Sequence, residues 1–155
     1  VLHYEPETGA FTWIKQLAPR GKVGSVAGHR QRDGRVVIRV DGKLYLAHRL
    51  AWLYMTGRWP STGEIDHKNR NHGNNKWLNL REATRSQNMY NTIAHVDSKS
   101  GIKGVHFDNE RLRWIAFIRI NERQKFLGRF DTSMQAASAY ADAAIASHGE
   151  FARIE

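Results

Sequence analysis

Cysteine is absent from the 155 residues of this chain. That excludes disulfide bridges, and it excludes a structural zinc held by thiolates. Long apolar runs are absent too. None approaches the ~20 residues that a membrane span needs, and no segment reads as a signal peptide, so no membrane partner is expected and a cytoplasmic location fits best. The chain opens on Val1 rather than Met, which leaves the position of the true N-terminus open. Acidic residues are sparse: 15 Asp and Glu stand against 24 Lys and Arg, a formal charge of +9. A surplus of that size on so short a chain points to a polyanionic partner, of which nucleic acid is the commonest. The length allows one domain or two small ones.

Two segments differ in character. Residues 1–91 mix short strand-like runs with Gly-rich turns, then a short apolar helix and an Asn-rich stretch. Val36–Val40, Asp41-Gly42 and Lys43–Ala47 read as a β-hairpin, because Asp-Gly suits a type I′ turn. Leu50, Ala51, Leu53 and Tyr54 fall at helical spacing, and Gly57 and Pro60 end that helix. Residues 92–100 lack a clean period and read as a linker. From residue 101 to 155 the pattern is tidier. Trp114, Ala116, Ile118 and Ile120 alternate with Arg113, Ile115, Phe117 and Arg119, as a strand requires. Asn121-Glu122-Arg123 turns the chain into a further strand. A helix follows, with Thr132 and Gln135 as a capping box, Ala137, Tyr140, Ala141, Ala144 and His148 on one face, and Gly149 as its stop. The expected fold class is α+β in both segments.

The residues that could carry chemistry lie in the first segment. Ile65-Asp66-His67 is followed twelve residues later by Asn79-Leu80-Arg81 and nine later still by Asn88. The intervening stretch from Lys68 to Asn75 is too polar and turn-prone for any core. Thr84 and Gln87 form a second capping box, which starts a helix at Arg85 and puts Asn88 in its first turn. The reading is strand, loop, strand, helix, and folding that helix back across the hairpin would bring Asn88 beside Asp66. Hydrolysing a phosphodiester takes a nucleophile, a base to deprotonate it, and positive charge on the leaving oxygen. A histidine suits the second role, and a hard cation on oxygen ligands suits the third. An Asp-His pair alone is usually a surface pair or a turn, so the joint spacing with Asn79 and Asn88 carries the argument. His48 reads as structural. His72 reads as a loop residue, a phosphate contact or nothing. Trp52, Trp59 and Trp77 read as core or hinge packing.

His48-Arg49-Leu50-Ala51-Trp52, Glu64-Ile65-Asp66-His67, Asn75, Asn79-Leu80-Arg81-Glu82-Ala83-Thr84 and Ser86-Gln87-Asn88 resemble the HNH homing endonucleases of phages, within the ββα-metal superfamily. The resemblance spans residues 34 to 91, with its core motif at 64–91. It implies a nuclease domain over residues 1–91 that cleaves double-stranded DNA to 5′-phosphate and 3′-hydroxyl ends. His67 would be the general base, Asp66 and Asn88 would hold one Mg²⁺ or Mn²⁺, and Asn79 would orient the His67 imidazole or pin the loop. Arg81 is expected to touch DNA. No structural zinc and no organic cofactor are implied. Asn88 stands where the name-giving His would be.

The second segment resembles the Apetala-type (ethylene-response-factor) DNA-binding domain of plants. Gly101-Ile102-Lys103-Gly104-Val105, Trp114–Arg119, Phe126–Thr132 and Ala136–Tyr140 carry the likeness. It implies a three-stranded antiparallel sheet packed on one helix, with the open face of the sheet against DNA. The outward residues at the matching positions are Lys103, Arg113 and Arg119, then His106, Arg111 and Lys125. Residues 99–129 hold eight Lys and Arg against three Asp and Glu, as such a face requires. Phe117 and Phe126 replace the Glu and Trp usual there, so the target sequence does not carry over. Two other readings stand beside a homing enzyme: a phage nuclease for DNA processing or packaging, and a DNA-binding regulator with a relict site.

Overall fold

The computed structural model describes residues 1–16, 22–94 and 98–154. They fall into two compact units, Val1–Thr84 and Arg85–Glu155.

The first unit opens with a hairpin of β1 (Leu2–Glu5) and β2 (Ala10–Trp13). A three-stranded antiparallel sheet follows, β3 (His29–Arg30), β4 (Val36–Val40) and β5 (Lys43–Leu46), in that spatial order. The β4–β5 turn is the one its sequence predicts. Asp41 and Gly42 both take positive φ, 49° and 78°, as a type I′ turn demands. Helix α1 (Ala47–Thr56) starts directly from β5 and ends at Gly57, whose N–H returns to the Leu53 carbonyl at 2.8 Å. Its Ala47 and Ala51 meet Tyr4, Phe11, Ala27, Ile38, Ile65 and Leu80 in one core. Against that core lies the third piece, β6 (Glu64–His67) paired with β7 (Leu80–Ala83). A single turn of 3₁₀ helix, Trp77–Asn79, feeds β7.

The second unit begins with α2 (Arg85–Tyr90), continues through β8 (Val105–Asp108), β9 (Arg113–Ile120) and β10 (Arg123–Phe130), and closes with α3 (Ser133–His148). The three strands are antiparallel in the order β10-β9-β8. The capping box of α3 is present, with Gln135 N–H donating to Thr132 Oγ1 at 3.2 Å. Its buried face runs Ala136, Tyr140, Ala144 and His148. Ala136 therefore replaces the expected Ala137 at its head, and Ala137 and Ala141 are half-buried at its margin. These small residues let Tyr140 and the helix backbone pack on Val105, Ala116 and Ile118.

Helix α2 clusters with this second unit, seven residues ahead of the boundary drawn from composition. Two contacts account for it. Tyr90 stacks on His148 with ring centroids 3.6 Å apart. Lys103 Nζ donates to the carbonyls of Met89, Tyr90 and Thr92 at 3.3, 2.8 and 2.9 Å, where the last turn of a helix leaves acceptors unfilled. Of the expected linker, residues 95–97 lie outside the described residues. Among the described residues, no helix is long and apolar enough to cross a membrane.

Candidate active site

The site of the first unit is built on β6 and β7. Their register sets Asp66 opposite Arg81 and His67 opposite Leu80. Asp66 and His67 are each only 4% exposed, so neither is the surface pair that an isolated Asp-His usually is. Arg81 donates from Nε and Nη2 to the same Asp66 oxygen, Oδ2, at 2.8 and 2.7 Å. Arg81 itself is buried, and its guanidinium compensates the Asp66 charge.

The loop from His67 to Leu80 is held by its own asparagines. Asn79 Nδ2 donates to Asn69 Oδ1 at 3.0 Å and to the Asn74 carbonyl at 2.7 Å. Its Oδ1 accepts from Asn69 N–H at 3.0 Å, and its carbonyl accepts from Lys68 N–H at 2.9 Å. Of the two roles open to Asn79, these bonds are those of a residue that pins the loop. Asn75 bonds to the imidazole, its Oδ1 accepting from His67 Nε2 at 3.0 Å. Asn75 is 2% exposed, in a stretch whose polarity argued against any burial.

Two more histidines border His67. The His48 ring, on α1, meets it edge-on at 5.0 Å between centroids, and the His72 ring lies at 5.8 Å. His48 is buried and its Nδ1 has no hydrogen-bond partner. Burial, with positive neighbours adding to it, pushes its pKa down to about 3, so it is a neutral packing residue. His72 donates from Nδ1 to the Asp33 carbonyl at 3.2 Å, which ties the loop to the β3–β4 turn. The guanidinium of Arg30, at the end of β3, fills the space beside Gly73 where a Cβ would sit. Burial also lowers the pKa of His67; the Asn75 bond opposes it, the His72 charge assists it, the Asp66 charge opposes it and Arg35 assists it. With Asn75 Oδ1 as acceptor the bonding proton lies on Nε2, and burial disfavours a second proton on the ring.

Trp52 and Trp77 pack together at 5.1 Å, and Trp59 stacks on Tyr45 at 6.0 Å. Glu82 secures the turn beyond α1, accepting from the Ser61 and Thr62 N–H groups and from Arg58. Asn88 lies half-buried on α2 and so belongs to the second unit.

In the second unit the pairing of β8, β9 and β10 defines the sheet's two faces. Val105, Ala116 and Ile118 face α3; His106, Asp108, Arg113, Ile115, Phe117, Arg119 and Gln124 lie on the open face. A β-bulge between Phe126 and Gly128 inserts one extra residue into β10. Leu127 therefore joins the core, and Arg129 returns to the open face beside Phe126, with its guanidinium carbon 5.2 Å from the ring centroid. Phe126 in turn lies 5.3 Å from Phe117. Arg113 and Arg119 are exposed on that face as expected, Arg113 being ion-paired with Asp131. Three other expected residues sit in different settings. Lys103 is half-buried against the end of α2, and burial lowers its pKa to about 8. Lys125 pairs with the buried Ile118 and so projects from the helix side of the edge strand. Arg111 sits in the β8–β9 turn, 3.4 Å from Asp108. Arg129 was not among the expected contacts; the bulge sets it on the face opposite Lys125.

A buried imidazole next to a carboxylate on a two-stranded frame is an arrangement capable of proton transfer. Residues 45–90 match the HNH endonuclease family, and this span contains Asp66, His67, Asn75, Asn79, Arg81 and Asn88. No curated protein and no solved structure matches the chain.

Proposed function

We propose that this protein is a site-specific, homing-type DNA endonuclease of phage origin, in which His67 is the general base. The observation that carries the reading is the buried His67 imidazole, bonded through Nε2 to Asn75 beside the Arg81-paired Asp66. Nδ1 takes the proton of the attacking water as oxygen bonds to phosphorus. The bond to the 3′ oxygen breaks, leaving a 5′-phosphate and, once that oxygen is protonated, a 3′-hydroxyl. Burial keeps Nδ1 neutral and able to accept.

The donor set favours a hard divalent ion. Among the described residues no three His, Asp or Glu side chains converge on a metal. A single carboxylate suits Mg²⁺ or Mn²⁺, which retain water and take phosphate oxygens, rather than a closed four-ligand cage. Asp66 would hold the ion, which when bound supplies positive charge to the departing oxygen. Arg81 fixes the carboxylate for that purpose, and Asn79 keeps the loop in place. The oxygen ligand expected of Asn88 is tested by Asn88→Ala in the full chain.

Duplex DNA is the partner this chemistry and the charge of +9 both favour. The open face of the second sheet, with Arg113, Arg119 and Arg129 around Phe117 and Phe126, is the proposed reader. The proposal is tested by incubating the full chain with plasmid DNA in Mg²⁺, with and without chelator, and examining the ends. Nicked or linear product with ligatable 5′-phosphates, lost on chelation, is the expected result. Unchanged cleavage in excess chelator refutes the metal.

A further inference from the structure

We propose that the N-terminal hairpin is part of the catalytic apparatus: it fixes Asn75, and Asn75 fixes the His67 imidazole. The inference rests on the reading of His67 as general base. It assigns a positioning role to Tyr4, Gly9 and Asn75, of which Tyr4 and Gly9 lie outside the span that matches the family.

Three contacts tie the β1–β2 hairpin to three successive loop residues. Tyr4 Oη donates to the Asn75 carbonyl at 2.6 Å. Trp77 N–H donates to the Pro6 carbonyl at 2.9 Å. Between them Gly9, at φ +77°, lies flat against the Asn75–Lys76 peptide. A Cβ there would stand 2.5 Å from the Asn75 carbonyl carbon and from the Lys76 nitrogen. Only a glycine permits that approach, since the backbone on the far side cannot move without carrying Asn75 with it. Tyr4 is 1% exposed and packs on Phe11 at 4.8 Å, so the hydroxyl is aimed by the core itself.

The far end of this brace is chemical. A buried amide is unfavourable unless its polar atoms are bonded, and Asn75 directs its Oδ1 to the ring nitrogen of His67. An acceptor at Nε2 requires the proton there. That leaves Nδ1 basic and prevents the ring from turning. A latch that only closed the loop would need the backbone contacts of Tyr4, Pro6 and Gly9 but no amide on the imidazole. The hairpin therefore sets where the basic nitrogen points, through the backbone of residue 75 and then through its side chain.

The test uses the full chain and two readouts, DNA cleavage under single-turnover and steady-state conditions, and ¹⁵N NMR of the His67 ring at pH 8. Asn75→Leu keeps the side-chain volume and removes the acceptor. It is expected to lower kcat by about 100-fold with KM within about threefold, as loss of a correctly presented base should. It should also replace the single-tautomer ¹⁵N pattern by that of a ring averaging two states. Asn75→Asp retains the acceptor oxygen and should restore the pattern. Tyr4→Phe removes one hydroxyl and should lower kcat about 2- to 10-fold, with partial averaging of the ring signals. An unchanged ¹⁵N pattern in Asn75→Leu overturns the role of Asn75. An unchanged pattern and kcat in Tyr4→Phe overturns the role of the hairpin. If the parent protein cleaves no DNA, the general-base reading falls, while the ring signals still decide whether the brace exists.

Discussion

A buried histidine serves as a base only while it is neutral, and desolvation is the chief cause that keeps His67 so. His67→Ala should therefore cut the cleavage rate by about 10²-fold or more and leave DNA affinity nearly intact, checked by single-turnover cleavage beside a binding titration. Arg81 has a different part. It neutralises a carboxylate that is 4% exposed, so Arg81→Met should leave a buried charge uncompensated. The expected loss is about 3–5 kcal/mol of stability in urea unfolding. His48 makes the fold sensitive to acid. Its folded pKa, about 3, lies below the value of 6.5 expected when unfolded. Between those limits the unfolded chain binds a proton that the native state refuses, so stability is full above pH 6.5 and declines as pH falls toward 3. His48→Phe should flatten that decline, read as the difference in urea midpoint between pH 7 and pH 4.5.

The bulge in β10 decides which cations share the open face. Arg119 and Arg129 lie on it, whereas Lys125 projects from the helix side. If the sheet reads DNA, Arg119→Ala and Arg129→Ala should each reduce the slope of log K against log salt by about 0.9, and Lys125→Ala by clearly less. Equal slopes for all three variants would contradict the assignment of faces. The same elements show what a sequence reveals. The β4–β5 hairpin, the C-terminus of α1 and the capping box of α3 were legible because each rests on local chemistry: Asp41-Gly42, Gly57, and Thr132 with Gln135. The Asp66-His67 strand was legible from its pattern, whereas for Asn79 the resemblance left two roles open and its bonds to Asn69 and Asn74 fit the loop pin. The opposite faces of Lys125 and Arg129 were not legible, because one inserted residue inverts the alternation between them. Asn75 stood in the motif without a role, since its burial depends on a hairpin some seventy residues earlier, with Tyr4 as its partner. Lys103 looked like a surface cation because nothing local indicates that the carbonyls ending α2 would claim it.

At the scale of the whole molecule, the chain joins a unit that carries the Asp66-His67 pair to one that presents a basic, aromatic sheet face. An excess of nine positive charges over both favours any polyanion, so binding alone does not distinguish an enzyme from a DNA-binding regulator. Hydrolysis does. The central claim is that His67 moves a proton in a metal-dependent cleavage. Its most direct test is the single-turnover rate of plasmid cleavage in Mg²⁺ by the full chain and by His67→Ala, at equal occupancy of DNA. The account predicts product from the parent, none in excess chelator, and a rate at least about 10²-fold lower for the variant. A variant that cleaves within threefold of the parent would contradict it.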